Sequence, residues 1–265
     1  MIDSILAALP GDFPWQNQIH WFDTIDSTNT RAKAMARQGA PHGTILIADR
    51  QTGGRGRLGR SFHSPAGMGI YMSVLLRPQC PPEALMHLTC AAAVAMCDAV
   101  EEVTGIRPGI KWINDLVIGH RKLAGILTEL TLGSHSEHVD AAVVGIGINC
   151  CQAVSDFPPE IRDMACSLEM ALGSPIDRAA LAGAMIRHLY RMGNALPQRD
   201  QILTRYRRDC VTLGQEISIA QPGLVRHGTA LDVDGNGALL VRLPDGQEEA
   251  VNSGEVSIRG MYGYL

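Results

Sequence analysis

Along the first third of the chain, apolar residues gather in runs of strand length parted by turn residues, with one helical stretch between them. QIHWFDTID (18–26) reads as a strand, and Ser27 or Thr28 stands where it can cap the Ala-rich helix NTRAKAMARQ that Gly39 ends. GTILIAD (43–49) and GIYMSVLLR (69–77) are two further apolar strands, and RQTGGRGRLGR (50–60) is slung between them. From Pro82 to Thr104 the periodicity of Ala, Leu and Met predicts a long buried helix stopped at Gly105. GIKWINDLVIG, KLAGILTELTL and VDAAVVGIGINC predict three more strands, with turns at Gly119–His120 and around Gly133–Ser134. Helices then dominate to about Cys210. Beyond it EISIA, HGTALDVD, GALLVRL and EAVNSGEVSIR are short β-rich pieces, which predict a small β-barrel domain over 211–265 after a larger domain over 1–210.

Composition narrows the function classes. The chain has 265 residues, 46% of them hydrophobic, and a net charge of −4, so the whole is not drawn to nucleic acid or anionic lipid. The start, MIDSILAALPGDFPWQ, lacks a basic region followed by an apolar run, and no segment reads as long enough to span a bilayer. A cytoplasmic protein without a membrane partner is expected. Seven cysteines, with no CxxC pair and no His/Cys cluster, argue against disulfides or zinc. Cys90 and Cys97 on the predicted helix, and the adjacent Cys150 and Cys151, read as packed thiols.

Against that acidic background, the four arginines and four glycines of RQTGGRGRLGR stand out. Glycines let a backbone approach a ligand closely, and arginines present rigid forks of donors to carboxylates and phosphates. The segment fits a polyanion site, a solvated surface loop or a nucleic-acid-binding tract, although such tracts usually repeat. KWIND (111–115) puts Lys111 on an apolar strand, either with its head in water or directed at an anion. GIGIN (145–149) offers small residues at alternate positions, for close packing or for a flat ligand with the Asn149 amide at the strand end. DSTN (26–29) at a strand-to-helix junction supplies either a cap or hydroxyl, amide and N–H donors for a ligand. Trp112 can stack on a ligand or belong to the core, and Asn114 and Asp115 can shape a bulge or act in catalysis.

Taken in order, DSTN, RQTGGRGRLGR, KWIND, KLAGILTE and GIGIN resemble the motifs of the biotin protein ligases, from about Ile19 to the closing GEVSIR. The resemblance implies an α+β fold, a mixed β-sheet flanked by helices like the class II aminoacyl-tRNA synthetases, with a small C-terminal β-barrel. It implies a two-step reaction: biotin and ATP give biotinyl-5′-adenylate and pyrophosphate, and a carrier lysine then displaces AMP. A biotin carboxyl carrier protein or domain is the implied partner, and Mg²⁺ the implied metal, held mostly through substrate phosphates. Lys111 and Arg57 are the implied catalytic residues. Around biotin the family pattern places Ser27, Thr28, Asn29, Gln51, Gly54, Arg55, Gly56, Arg57, Phe62, Lys111, Gly145 and Gly147. Toward the nucleotide it places Arg57, Arg60, Lys111, Lys122 and Asn149, with Asn149 also near the metal. Ser61 replaces a commonly basic neighbour and Leu58 stands where some relatives carry arginine, so this loop is less positive. The repressor branch carries a winged helix-turn-helix ahead of the catalytic domain. Here fewer than twenty residues precede the first catalytic strand, so a ligase without DNA binding is expected. A lipoate or octanoate attachment enzyme shares the fold but fits GRGRLGR followed by KWIND less well. A biotin-sensing module without turnover and a noncatalytic nucleic-acid binder are the remaining alternatives.

Overall fold

The apolar stretches GTILIAD and GIYMSVLLR have no polar face, so as strands they require cover on both sides, and the architecture supplies it. A computed structural model describes residues 1–132, 138–221, 224–252 and 255–258; the turn expected around Gly133–Ser134 lies outside them, as do Gly254 and Arg259 of GEVSIR. The strands are β1 (Ile19–Ile25), β2 (Thr44–Gln51), β3 (Gly69–Leu76), β4 (Gly109–Lys111), β5 (Asp115–Ile118), β6 (Arg121–Leu132) and β7 (Val139–Asn149). They form one mixed sheet in the order β1-β2-β3-β7-β6-β5-β4, parallel only between β1 and β2.

The helices are α1 (Ile2–Ala7), α2 (Thr28–Arg37), α3 (Leu88–Thr104), α4 (Leu168–Leu172), α5 (Arg178–Ala195) and α6 (Arg199–Asp209). α3, α5 and α6 pack together on one face of the sheet and build the main core with alternate residues such as Ile70, Met72, Val74, Ile146 and Ile148. α2 covers part of the other face, where Ala32 and Ala36 meet Leu46, Leu75, Ala141 and Val143. The period of two therefore turns Ser73, Gly145 and Gly147 to the α2 side, where a ligand can reach them.

Five further strands, β8 (Glu216–Gln221), β9 (Leu224–Val233), β10 (Leu239–Arg242), β11 (Glu248–Val251) and β12 (Glu255–Ile258), make a separate antiparallel sheet in the order β11-β10-β9-β8-β12.

The sequence reading departs from this fold in four places. GIKWINDLVIG is not one strand but the hairpin of β4 and β5, closed by Lys111↔Asp115 pairing around the turn 112–114. The expected helix from Pro82 begins as a 3₁₀ turn, Pro82–Leu85, before α3, which Gly105 ends at φ 73°. Pro82–Thr104 is in fact long and apolar enough to cross a membrane, contrary to the reading that no segment is, but it is mostly buried within the fold. α1 was not anticipated; it anchors through Ile5, 1% exposed. The thiols behave as packed groups, with burial pushing Cys90, Cys97 and Cys150 well up and Cys166 to about 11.

Candidate active site

The site begins at the α2 N-terminus. Ser27 caps the helix, its Oγ accepting from Thr30 N at 3.4 Å. That leaves Thr28 and Asn29 buried over the sheet and forces their polar atoms to find partners. Thr28 donates through N and Oγ1 to Gln51 Oε1 at 2.9 and 3.1 Å, and Gln51 Nε2 donates to Ser64 Oγ at 3.0 Å. Ser73 Oγ bonds to Thr28 Oγ1 at 2.8 Å and to Asn29 Oδ1 at 2.6 Å. The Asn29 amide lies against Gly145, where an added Cβ would fall 1.9 Å from Oδ1. Gly145→Ala must therefore push aside an amide already held at both ends. We expect a loss of about 1–3 kcal/mol, read as a melting temperature lowered by roughly 2–4 °C per kcal/mol; an unchanged melting curve would show that Asn29 gives way freely.

Gly145 and Gly147 continue as a floor across strands. Gly125 pairs with Gly147, and Leu127 with Gly145. Phe62 lies over Gly147, whose Cβ would come within 2.4 Å of its ring, and meets Tyr71 edge-on at 6.4 Å. The floor bounds a cavity of about 130 Å³.

The Gly/Arg segment folds over this cavity as a short hairpin. Arg55 bridges Ser61, Gly56 N donates to Arg60 O at 2.7 Å, and Leu58 sits at the tip at φ 54°, 73% exposed. Among the contacts that tie it down, Arg57 Nη1 donates to Asn114 Oδ1 at 2.8 Å, and Arg55 Nη1 pairs with Glu129 Oε1 at 3.3 Å. Asn114 Nδ2 in turn donates to Asp115 Oδ1 and Ile126 O, and Asp115 pairs with Lys122 at 2.7 Å. Lys111, 3% exposed, stands at the end of β4 in the cavity wall. Five cations, Arg55, Arg57, Arg60, Lys111 and Lys122, line the cavity against one carboxylate, Asp115. Such a balance in a cleft favours anionic ligands.

Of the residues expected around a ligand, Ser27, Thr28, Asn29, Gln51, Arg55, Gly56, Arg57, Arg60, Phe62, Lys111, Lys122, Gly145 and Gly147 all line this cavity, as do Trp112 and Asn114. Two of the expected residues do not. Gly54 packs beneath the loop, where a Cβ would lie 2.4 Å from Phe62 O. Asn149 lies beyond Phe62 in a second cavity of about 300 Å³ that shares Arg60, Ser61, Phe62 and Lys122 with the first. Its Nδ2 donates to Cys166 O at 3.0 Å and its Oδ1 accepts from Gln152 Nε2 at 3.2 Å. Trp112 serves the fold as well as the wall, its Nε1 donating to Gly237 O at 2.9 Å.

Glu129 was missed by the sequence reading. Oε1 accepts from Lys33 at 2.6 Å, and Oε2 accepts from Asn29 Nδ2 at 3.0 Å. Burial raises its pKa, but the bonds from Lys33 and Asn29 and the nearby Arg55 outweigh burial and hold it below the usual carboxylate value.

Fold and site together define a cavity for an anionic ligand, floored by glycines on a mixed sheet and covered by a cationic loop. Residues 21–149 match the biotin/lipoate A/B protein ligase family and residues 212–259 the biotin protein ligase C terminal domain. The chain is 36% identical to the bifunctional ligase/repressor BirA of Bacillus subtilis, over 85% of this chain and 70% of that protein. It is 33% identical to the biotin–[acetyl-CoA-carboxylase] ligase of Mycobacterium tuberculosis, over 87% of this chain and 85% of that one. The biotin protein ligase of Aquifex aeolicus in complex with biotin and ATP superposes with a TM-score of 0.77 at 30% identity, covering 91% of this chain and 98% of that one. The chain belongs to the biotin/lipoate A/B protein ligase family, on its biotin protein ligase branch.

Proposed function

We propose that this chain is an ATP-dependent biotin protein ligase that forms biotinyl-5′-AMP and transfers biotin to a lysine of a biotin carboxyl carrier protein. The observation that carries this reading is the cavity itself, with five cations against one acid over a floor of glycines. In the first step a biotin carboxylate oxygen attacks the α-phosphorus of ATP, and pyrophosphate leaves with the electrons of the broken P–O bond. In the second the carrier's lysine amine attacks the acyl carbon, AMP leaves, and the amine proton passes to solvent.

Two anions must meet in the first step, so the site has to neutralise both. Lys111 in the wall and Arg57 in the loop are the groups assigned to that task. Thr28, Asn29 and Gln51 form the polar end that receives the biotin rings, with Gly145 and Gly147 beneath them. The nucleotide extends past Phe62 toward Lys122 and Asn149 in the second cavity. For magnesium the donor set is poor: among the described residues no group of three His, Cys, Asp or Glu is placed to hold a metal ion, and both ends of the Asn149 amide are engaged by protein groups. No step is assigned to a protein-held metal.

The test is incubation with biotin, ATP, Mg²⁺ and the carrier domain of an acetyl-CoA carboxylase, the acceptor after which the M. tuberculosis relative is named. Intact mass should show one biotinyl group added to the carrier, dependent on ATP. No gain with biotin, and a gain with lipoate or octanoate instead, would overturn the reading.

A further inference from the structure

Glu129 lies outside the cavity yet touches two residues that line it, Asn29 and Arg55. It stands on β6 in register with Val143, one step along the same face from Leu127 and two from Gly125. Its side chain is 20% exposed, so its carboxylate works in a partly desolvated place where hydrogen bonds to charge are strong. One oxygen takes Lys33 from the second turn of α2 and Arg55 from the loop, and the other takes the Asn29 amide from the first turn of α2.

We propose that Glu129 is a positioning residue that ties the Gly/Arg loop to the polar end of the biotin cavity, so that one carboxylate sets both the Asn29 amide and the rest position of Arg55. The inference rests on the ligase reading above.

Two physical arguments support it. An ionised carboxylate only accepts hydrogen bonds, so together with Leu127 O, which accepts from Nδ2 at 3.1 Å, it holds the NH₂ end of Asn29 toward β6 and leaves Oδ1 toward Ser73. Gly145 beneath the amide makes room for it, since a Cβ there would fall 1.9 Å from Oδ1. A glutamine at 129 would carry its own NH₂, and with that end toward Asn29 it would leave Leu127 O as the acceptor for Nδ2, so the cavity's polar wall would be held less firmly. The Arg55 contact is long and half exposed, so alone it is weak. Its effect comes from sharing the oxygen that Lys33 already holds, which removes any need to order the acceptor when the loop arrives.

The experiment uses the full chain and the variants Glu129→Gln and Glu129→Asp. The loop is rich in arginines, so the initial rate of tryptic cleavage within 50–60 reports its attachment without any turnover. For Glu129→Gln we expect cleavage about threefold or more faster without biotin, a KM for biotin raised roughly three- to tenfold, and a kcat for pyrophosphate release within about twofold of wild type. Each tenfold corresponds to about 1.4 kcal/mol. Glu129→Asp keeps an acceptor-only carboxylate and should restore the tryptic protection at least halfway. Unchanged cleavage and unchanged KM in a folded Glu129→Gln would overturn the proposal. So would a loss shared equally by kcat and melting temperature, or a well-folded Glu129→Asp as cleavable as Glu129→Gln. If wild type released no pyrophosphate with biotin and ATP, the ligase reading would fail, while the cleavage rates would still decide whether Glu129 holds the loop.

Discussion

Lys111→Ala is expected to lower the rate of adenylate formation by roughly tenfold to a thousandfold, or ~1.4 to 4 kcal/mol, while the fold survives. The ammonium sits at the end of β4, 3% exposed, in a cavity wall that it shares with four other cations. In that setting its charge is little screened, and it acts most on the state in which carboxylate and phosphate come together. The loss should therefore fall on kcat more than on the KM for biotin, whose rings the proposed function places against Thr28, Asn29 and Gln51. The backbone of β4 pairs with β5 regardless of the side chain, so the melting temperature should change little. Pyrophosphate release measured with saturating biotin and ATP decides the matter. A rate close to wild type would show that the field of Arg55, Arg57, Arg60 and Lys122 suffices and that Lys111 only fills the wall.

What the sequence discloses and what it hides can be told apart by the range of the forces involved. The Gly/Arg segment, the small residues at 145 and 147, and a lysine in an apolar run are anomalies against their own neighbours, so each is legible without knowing where the chain goes next. The β4–β5 turn is not, because WIN continues an apolar run and contains neither Gly nor Pro. Trp112 leaves the sheet there for partners 100 and 125 residues away, Thr212 and Gly237. Glu129 was hidden for the same reason: Asn29, Lys33 and Arg55 are 100, 96 and 74 positions from it. A signal existed in the one acid of KLAGILTELTL, which shares strand parity with Gly125 and so points to the glycine floor. Gly54, which the family pattern places around biotin, lies outside the cavity lining, and its missing side chain makes room for the backbone of Phe62.

Arg57→Gly is expected to separate the two halves of the reaction. Arg57 Nη1 holds Asn114 Oδ1 at 2.8 Å, which fastens the loop to the turn beside Lys111. Removing the guanidinium takes away a charge-assisted contact worth ~1.5 to 3 kcal/mol and puts another flexible residue next to Gly56. Adenylate should still form, with a modest loss, because Lys111 and the remaining cations still neutralise the reacting anions. Once formed, however, the mixed anhydride must be kept from water and stray amines until the carrier lysine arrives, and a loosened loop does this poorly. Release should rise about tenfold or more, since each 1.4 kcal/mol is a factor of ten. Both quantities can be read in one mixture, pyrophosphate for synthesis and biotin on a lysine-rich bystander protein for escape. The ratio of bystander label to pyrophosphate should climb in Arg57→Gly and stay at the wild-type value in Lys111→Ala, where synthesis alone fails. If the ratio does not rise in Arg57→Gly, the loop does not retain the intermediate, and its arginines serve only to gather the two anionic substrates.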